Sequence, residues 1–291
     1  MGESILGAGV IAQLAKRFPQ LYVAPAEGAQ DAHRAASGRG IAPEGANLDH
    51  FITSVEDELR VVDTPAGPVE VVFLKERADF ETLLQIIGHK AQPVPINRTV
   101  GAITYRGLAD WGKVSALARA YREAGGEDWP AEFLRLAKDP QAFRTEIIFI
   151  SEGPYSNVPA GKTPYGAAEW MRISREIRLH HECAHVVCRR TMPDDILPVW
   201  DEITADVTGL LCATGRYDAA LAGVFLGVDA SGYTGGRLAE YLKDDQKASV
   251  DALARDVHDA LCRVQAQAEA VTDMRPFEFL LELKRDPLIG F

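Results

Sequence analysis

His181-Glu182-Cys183-Ala184-His185, followed by Asp201-Glu202-Ile203-Thr204-Ala205-Asp206, is the pair of stretches around which the chain is organised. On a helix, residues four apart lie one above the other, so the His181 and His185 imidazoles converge on one point. Two imidazoles so placed form two legs of a tetrahedral zinc site. Glu182 lies about 100° round the helix from His181, out of the ligand row but beside any water a metal would hold, where a general base belongs. Glu202 follows after one short loop and one helical turn, with Asp206 at i+4 on the same face. A carboxylate backed by a second carboxylate is what a third ligand and its orienting partner require.

H-E-x-x-H followed by E-x-x-x-D resembles the gluzincin clan of zinc metallopeptidases, the thermolysin-like group. The resemblance implies that His181, His185 and Glu202 bind zinc, that Glu182 is the general base, and that Asp206 hydrogen-bonds the His181 ring. Asp201 stands where the thermolysin-like motif usually has Asn. The implied reaction is hydrolysis of amide bonds in a peptide or protein substrate. Gluzincins also use a His or Tyr beyond the third ligand to stabilise the oxyanion, a role open here to His258, Tyr233 and Tyr241.

The rest of the composition agrees with an ordinary soluble globular protein. A hydrophobic content of 47% and 25% charged residues allow an ordinary packed core. A formal charge of −11 without a basic run argues against nucleic-acid or anionic-membrane partners. Cys183, Cys188, Cys212 and Cys262 follow no disulfide framework, which points to a reducing compartment. Ile5 to Ala15 is apolar, but Glu3 precedes it and no Lys or Arg does, so it reads poorly as a secretion signal and the expected location is cytoplasmic.

Outward from the motif, the pattern predicts an α+β fold with a small mixed sheet, a buried active-site helix and a C-terminal helical lobe, which the resemblance implies is zincin-like. Three segments are expected: a helix and loop-rich 1–59, a sheet-containing lobe 60–192 that includes the motif helix, and a helical lobe 193–291 carrying the third ligand. Ile5-Leu6-Gly7-Ala8-Gly9-Val10-Ile11-Ala12, with Glu27 beyond, imitates a dinucleotide fingerprint, which makes an oxidoreductase one rival reading. A helix from Gly9 to Phe18 is the reading preferred for it. A second rival is a zinc-stabilised scaffold that cuts nothing.

Ala29 to Asn47, rich in Ala and Gly, is expected as a loop. Val61-Val62 and Val69 to Leu74 predict a hairpin, and Asp79 an N-cap for a helix to Ile87. Val100 to Tyr105 predicts a strand, and Asp110 to Ala124 and Pro130 to Lys138 predict helices. Thr145 to Ile150 is the most strand-like run; the zincin resemblance implies that Ile147 to Ser156 is a cleft-rim edge that an extended peptide could join, and an ordinary core strand followed by a Gly/Pro loop is the other reading. The motif helix is predicted from Ala167 to Arg190, ended by Pro193-Asp194-Asp195. Pro198 opens the Glu202 helix and Gly215 closes it. Helices are expected over Leu238 to Lys243, Lys247 to Ala270 and Pro276 to Lys284.

Overall fold

A computed structural model describes residues 4–192, 198–242, 249–286 and 288. The protein is α+β and divides into two compact units. The first comprises Met1–Val62, Val69–Asn97 and Ile103–Ser151, and the second Asp63–Pro68, Arg98–Ala102 and Glu152–Phe291. This differs from the expected boundaries at 59 and 192, because the motif helix groups with the C-terminal helices and not with the sheet. The expected ends at Pro193-Asp194-Asp195, Lys243 and Lys247 lie outside the described residues.

The sheet strands are β1 (Ile5–Leu6), β2 (Glu58–Thr64), β3 (Gly67–Leu74), β4 (Ala102–Ala109) and β5 (Arg144–Ser151), in spatial order β1-β2-β3-β5-β4. It is mixed: β1 runs antiparallel to β2, while β3 and β5 pair in parallel from Glu70↔Ile147 to Leu74↔Ser151. Residues Val71 to Leu74 and Ile147 to Ile150 are all buried. Unbroken apolar runs of this kind belong to inner parallel strands covered on both faces. Of the two readings of Ile147 to Ser156, the core strand holds as far as Ser151 and the substrate-pairing edge is corrected: β5 lies between β3 and β4.

In the first unit, the helices are α1 (Gly9–Arg17), α2 (Gln30–Arg39), α3 (Arg77–Ile87), α4 (Trp111–Glu123) and α5 (Trp129–Leu136). β1 is an antiparallel edge strand, so the N-terminal glycines open no parallel βαβ unit, and the dinucleotide reading loses its structural basis. Gly7, at φ +87°, serves the turn between β1 and α1. The expected loop from Ala29 contains α2, closed by left-handed Gly40. Asp79 does not cap α3. Its buried carboxylate accepts from the Ile52 and Thr53 amides at 2.7 and 2.8 Å, anchoring that loop. Asp110 and Asp128 do cap α4 and α5, accepting from Lys113 N and Ala131 N.

The second unit is built on α6 (Ala167–Thr191) and α7 (Pro198–Thr214), joined by α8 (Ala219–Leu226), the short strands β6 (Val228–Asp229) and β7 (Gly232–Tyr233), α9 (Val250–Ala270) and α10 (Pro276–Arg285). Leu238 to Tyr241, expected within an α-helix, belongs to a 3-10 turn, Arg237–Tyr241. From Val199 to Leu211, α7 is buried nearly all round, as a helix at the centre of a bundle must be. Gly209 permits its approach to α6, since a Cβ there would meet the Ile177 carbonyl oxygen at 2.8 Å. Trp170, Trp200, Phe225, Leu210 and Leu261 join one apolar core. Among the described residues, no helix is long and apolar enough to cross a membrane.

Candidate metal centre

Everything at this centre belongs to the second unit. The stretch between β5 and α6 is pinned to α6 from several sides. Arg178, buried on α6, donates to the carbonyls of Gly153 and Pro154, and Ser174 Oγ accepts from Tyr155 N at 2.8 Å. Trp170 Nε1 reaches Val158 O at 2.7 Å. The Tyr155 ring packs edge-on against Phe225 at 4.9 Å, so its hydroxyl is delivered to the middle of α6, beside His181.

There the helical spacing has the expected effect. His181 Nε2 and His185 Nε2 lie 3.1 Å apart. The Glu202 carboxylate faces both, with Oε2 at 3.5 Å from His181 Nε2 and Oε1 at 3.6 Å from His185 Nε2. One ligand atom from each of the three residues falls within 4.8 Å of the others, the cluster of metal-binding character found among the described residues. A tetrahedral ion bonded at about 2.05 Å needs ligand atoms about 3.3 Å apart, a value these separations bracket. The chemistry of the donor set, two imidazoles and a carboxylate, fits zinc.

The other nitrogens decide how the rings are turned. His181 Nδ1 is 2.8 Å from Asp206 Oδ1, and His185 Nδ1 is 2.9 Å from Asp201 Oδ2. A ring that donates its Nδ1–H to a carboxylate presents a bare Nε2 lone pair, the form a metal requires. Burial would lower the pKa of His181, but its contacts with Asp206 and Glu202 outweigh burial and raise it to about 10. Burial would raise Glu202, but His181 beside it holds it at about 2. The carboxylates around His181 draw positive charge to this spot, and a metal bound there would displace the proton from Nε2.

Asp206, 1% exposed, is saturated. One oxygen accepts from the Tyr155 hydroxyl as well as facing His181, and the other accepts from Arg237 Nη2. Arg237 lies over the Tyr155 ring, 5.0 Å from its centroid. Asp201 is served likewise from α10, where buried Lys284 reaches its Oδ1. Each histidine is thus backed by a carboxylate, and each carboxylate by a cation.

Glu182, 9% exposed, lines the pocket over the two histidines together with Ser156, Glu202, Glu240 and Tyr241. Of the three oxyanion candidates, Tyr241 alone is at this pocket. Burial holds its phenol above the usual range, and hence protonated. Tyr233 and His258 are corrected by the structure. The Tyr233 hydroxyl donates to Gly236 O at 2.7 Å and accepts from Gly236 N at 3.0 Å, closing its own turn. His258 sits on α9 with Nδ1 3.6 Å from Asp259 and Nε2 4.0 Å from Cys262 Sγ; neither residue lines the pocket. His180 is turned elsewhere, toward Glu176 and the Phe277 ring.

Sequence reasoning missed Tyr155, Arg237 and Lys284, and noted Asp201 only as a departure from a motif. Lys284 carried a signal: it stands four residues after Leu280 and next to Leu283, on the apolar face of its helix. Tyr155 and Arg237 carried none, since both reach the centre through loop and turn geometry.

The chain belongs to DUF7005, a family of unknown function that it matches over residues 4–281. No curated protein and no solved structure matches it.

Proposed function

We propose that the protein is a zinc-dependent hydrolase of gluzincin type, with a zincin-like arrangement around α6 and α7, acting on amide bonds of a peptide or protein. The observation that supports this best is the orientation of both imidazoles. Each gives Nδ1 to a separate carboxylate, and both Nε2 atoms face Glu202. A histidine pair gathered only for packing has no need of two separate orienting acids.

His181, His185 and Glu202 would hold the metal, leaving a position open to water or substrate, as catalytic sites do. When bound, zinc would supply Lewis acidity toward a carbonyl and toward water. Glu182 accepts the proton of the attacking water and passes it to the departing nitrogen. The Tyr241 hydroxyl, which remains protonated, donates to the oxygen on which negative charge develops. Asp201 and Asp206 keep the imidazoles in one tautomer and one orientation throughout.

The test begins with metal analysis of purified protein after dialysis, where about one equivalent of zinc is expected. Zinc-loaded protein is then given a broad peptide library with and without chelator. Glu182→Gln should keep its metal and lose cleavage, whereas Glu202→Ala should lose affinity for the metal. A wild-type protein that takes up no zinc would defeat the assignment. A metal-replete Glu182→Gln that still cuts at the wild-type rate would remove Glu182 from its role, and a variant silent in every assay would favour a scaffold.

A further inference from the structure

Lys284 is 5% exposed, deep for a residue whose charge is costly to bury without a partner. Its ammonium reaches Asp201 Oδ1, while Oδ2 of the same carboxylate lies 2.9 Å from His185 Nδ1. α10 is fixed beside this contact. Leu280 packs with Ala184 and Cys188 of α6 and Ala205 of α7, and the Trp200 indole donates to Leu283 O at 3.1 Å. Lysine, carboxylate and imidazole therefore form a continuous line from the C-terminal helix to the metal-facing nitrogen. Asp201 is the least enclosed member, its side chain 36% exposed, so water is available to it if the lysine is withdrawn.

We propose that Lys284 is a positioning residue of the metal centre, holding the Asp201 carboxylate against His185 and through it keeping the His185 Nε2 directed at the metal. This rests on the zinc reading of the same cluster. Two effects of the lysine oppose one another. Its positive charge repels a divalent ion, so by charge alone its removal would tighten binding. Its contact fixes a partly exposed carboxylate that would otherwise turn to solvent and release the imidazole. In this proposal the second effect wins, because an orienting partner of a ligating histidine is worth tenfold or more in affinity. An Asn at 201 needs no counter-charge and still offers one oxygen to His185, so it should work without the lysine.

Zinc affinity is measured by competition with a chromophoric chelator, a readout independent of catalysis. Lys284→Met, which keeps the length and apolar stem, should bind zinc about tenfold more weakly than wild type. Asp201→Asn combined with Lys284→Met should recover most of that loss, which a merely packing role for Lys284 would not produce. If Lys284→Met does not fold, as judged by circular dichroism, Lys284→Gln replaces it in the same comparison. Zinc uptake by wild type with equal or tighter binding in the lysine variant overturns this inference alone. Failure of the double variant to recover overturns it too. Absence of zinc binding by wild type overturns the metal reading and this inference together.

Discussion

Asp206 shows how much one side chain can be asked to hold. It takes hydrogen bonds from Tyr155 and Arg237 while orienting His181, all out of water. Truncation to alanine would strand the buried Arg237 guanidinium, a loss of about 3–5 kcal/mol that would obscure any effect on metal. Asp206→Asn is the informative change. It keeps the shape but reduces the acceptor capacity, and zinc affinity measured by chelator competition should fall about tenfold to a hundredfold. In the first unit, Glu70 gives a pH prediction. Burial opposes its ionisation, but two hydrogen bonds from Arg17 and one from Thr145 outweigh burial and hold its pKa below the ordinary value. A carboxyl with a lower pKa in the folded state stabilises the protein above the ordinary carboxylate range, and that stability is lost as the pH falls through it. Glu70→Gln should therefore cost about 1–3 kcal/mol at neutral pH. It should also lose less further stability than wild type between about pH 5 and pH 3. Urea midpoints of both proteins across that range check the sign.

At the level of elements, α6 and α7 meet through Gly209. An alanine there gains about 1 kcal/mol of helix propensity, yet its methyl would press on the Ile177 carbonyl oxygen at 2.8 Å, backbone that cannot step aside. Gly209→Ala should come out destabilised by about 1–3 kcal/mol in chemical denaturation, with reduced metal uptake because the faces carrying His181 and Glu202 are forced apart. The two helices themselves are legible in the sequence. A run with Trp170, Ile173, Ile177, Ala184 and Val187 at helical spacing has one stable use, and Pro198 and Gly215 punctuate its neighbour. The clustering of His181, His185 and Glu202 followed from the same spacing. What stayed hidden depended on tertiary contact. Thr145 to Ile150 announces a strand, yet its alternatives, edge or centre, differ only in which strands flank it. Asp79 has the composition of a cap, yet a loop distant in sequence claims its carboxylate. The Ala-rich stretch holding α2 lacks a strong apolar stripe, and its helix is decided by the burial of His33 and Ala36.

For the molecule as a whole, His181, His185 and Glu202, the proposed metal ligands, all lie in the second compact unit with their supports. A ligand that binds only the folded form stabilises what it touches, by about 2.7 kcal/mol at a free concentration a hundred times its Kd. Zinc should therefore slow amide exchange in α6, α7 and α10 and leave the strands β3 and β5 of the first unit unchanged. Hydrogen-exchange mass spectrometry with and without chelator makes the comparison. Uniform protection of both units would contradict a site confined to the second. The place of α10 in the chain also bears on how the protein matures. Lys284 lies 83 residues after Asp201, so at roughly 5–20 residues per second a ribosome needs roughly 4–17 s to deliver it after α7 has begun to emerge. During that interval a nascent chain already displays both histidines and Glu202, but without the lysine proposed to steady one of them. Cellular zinc met at that stage would be held loosely and exchange readily, and tight loading would wait until α10 has been made and has packed beside α7.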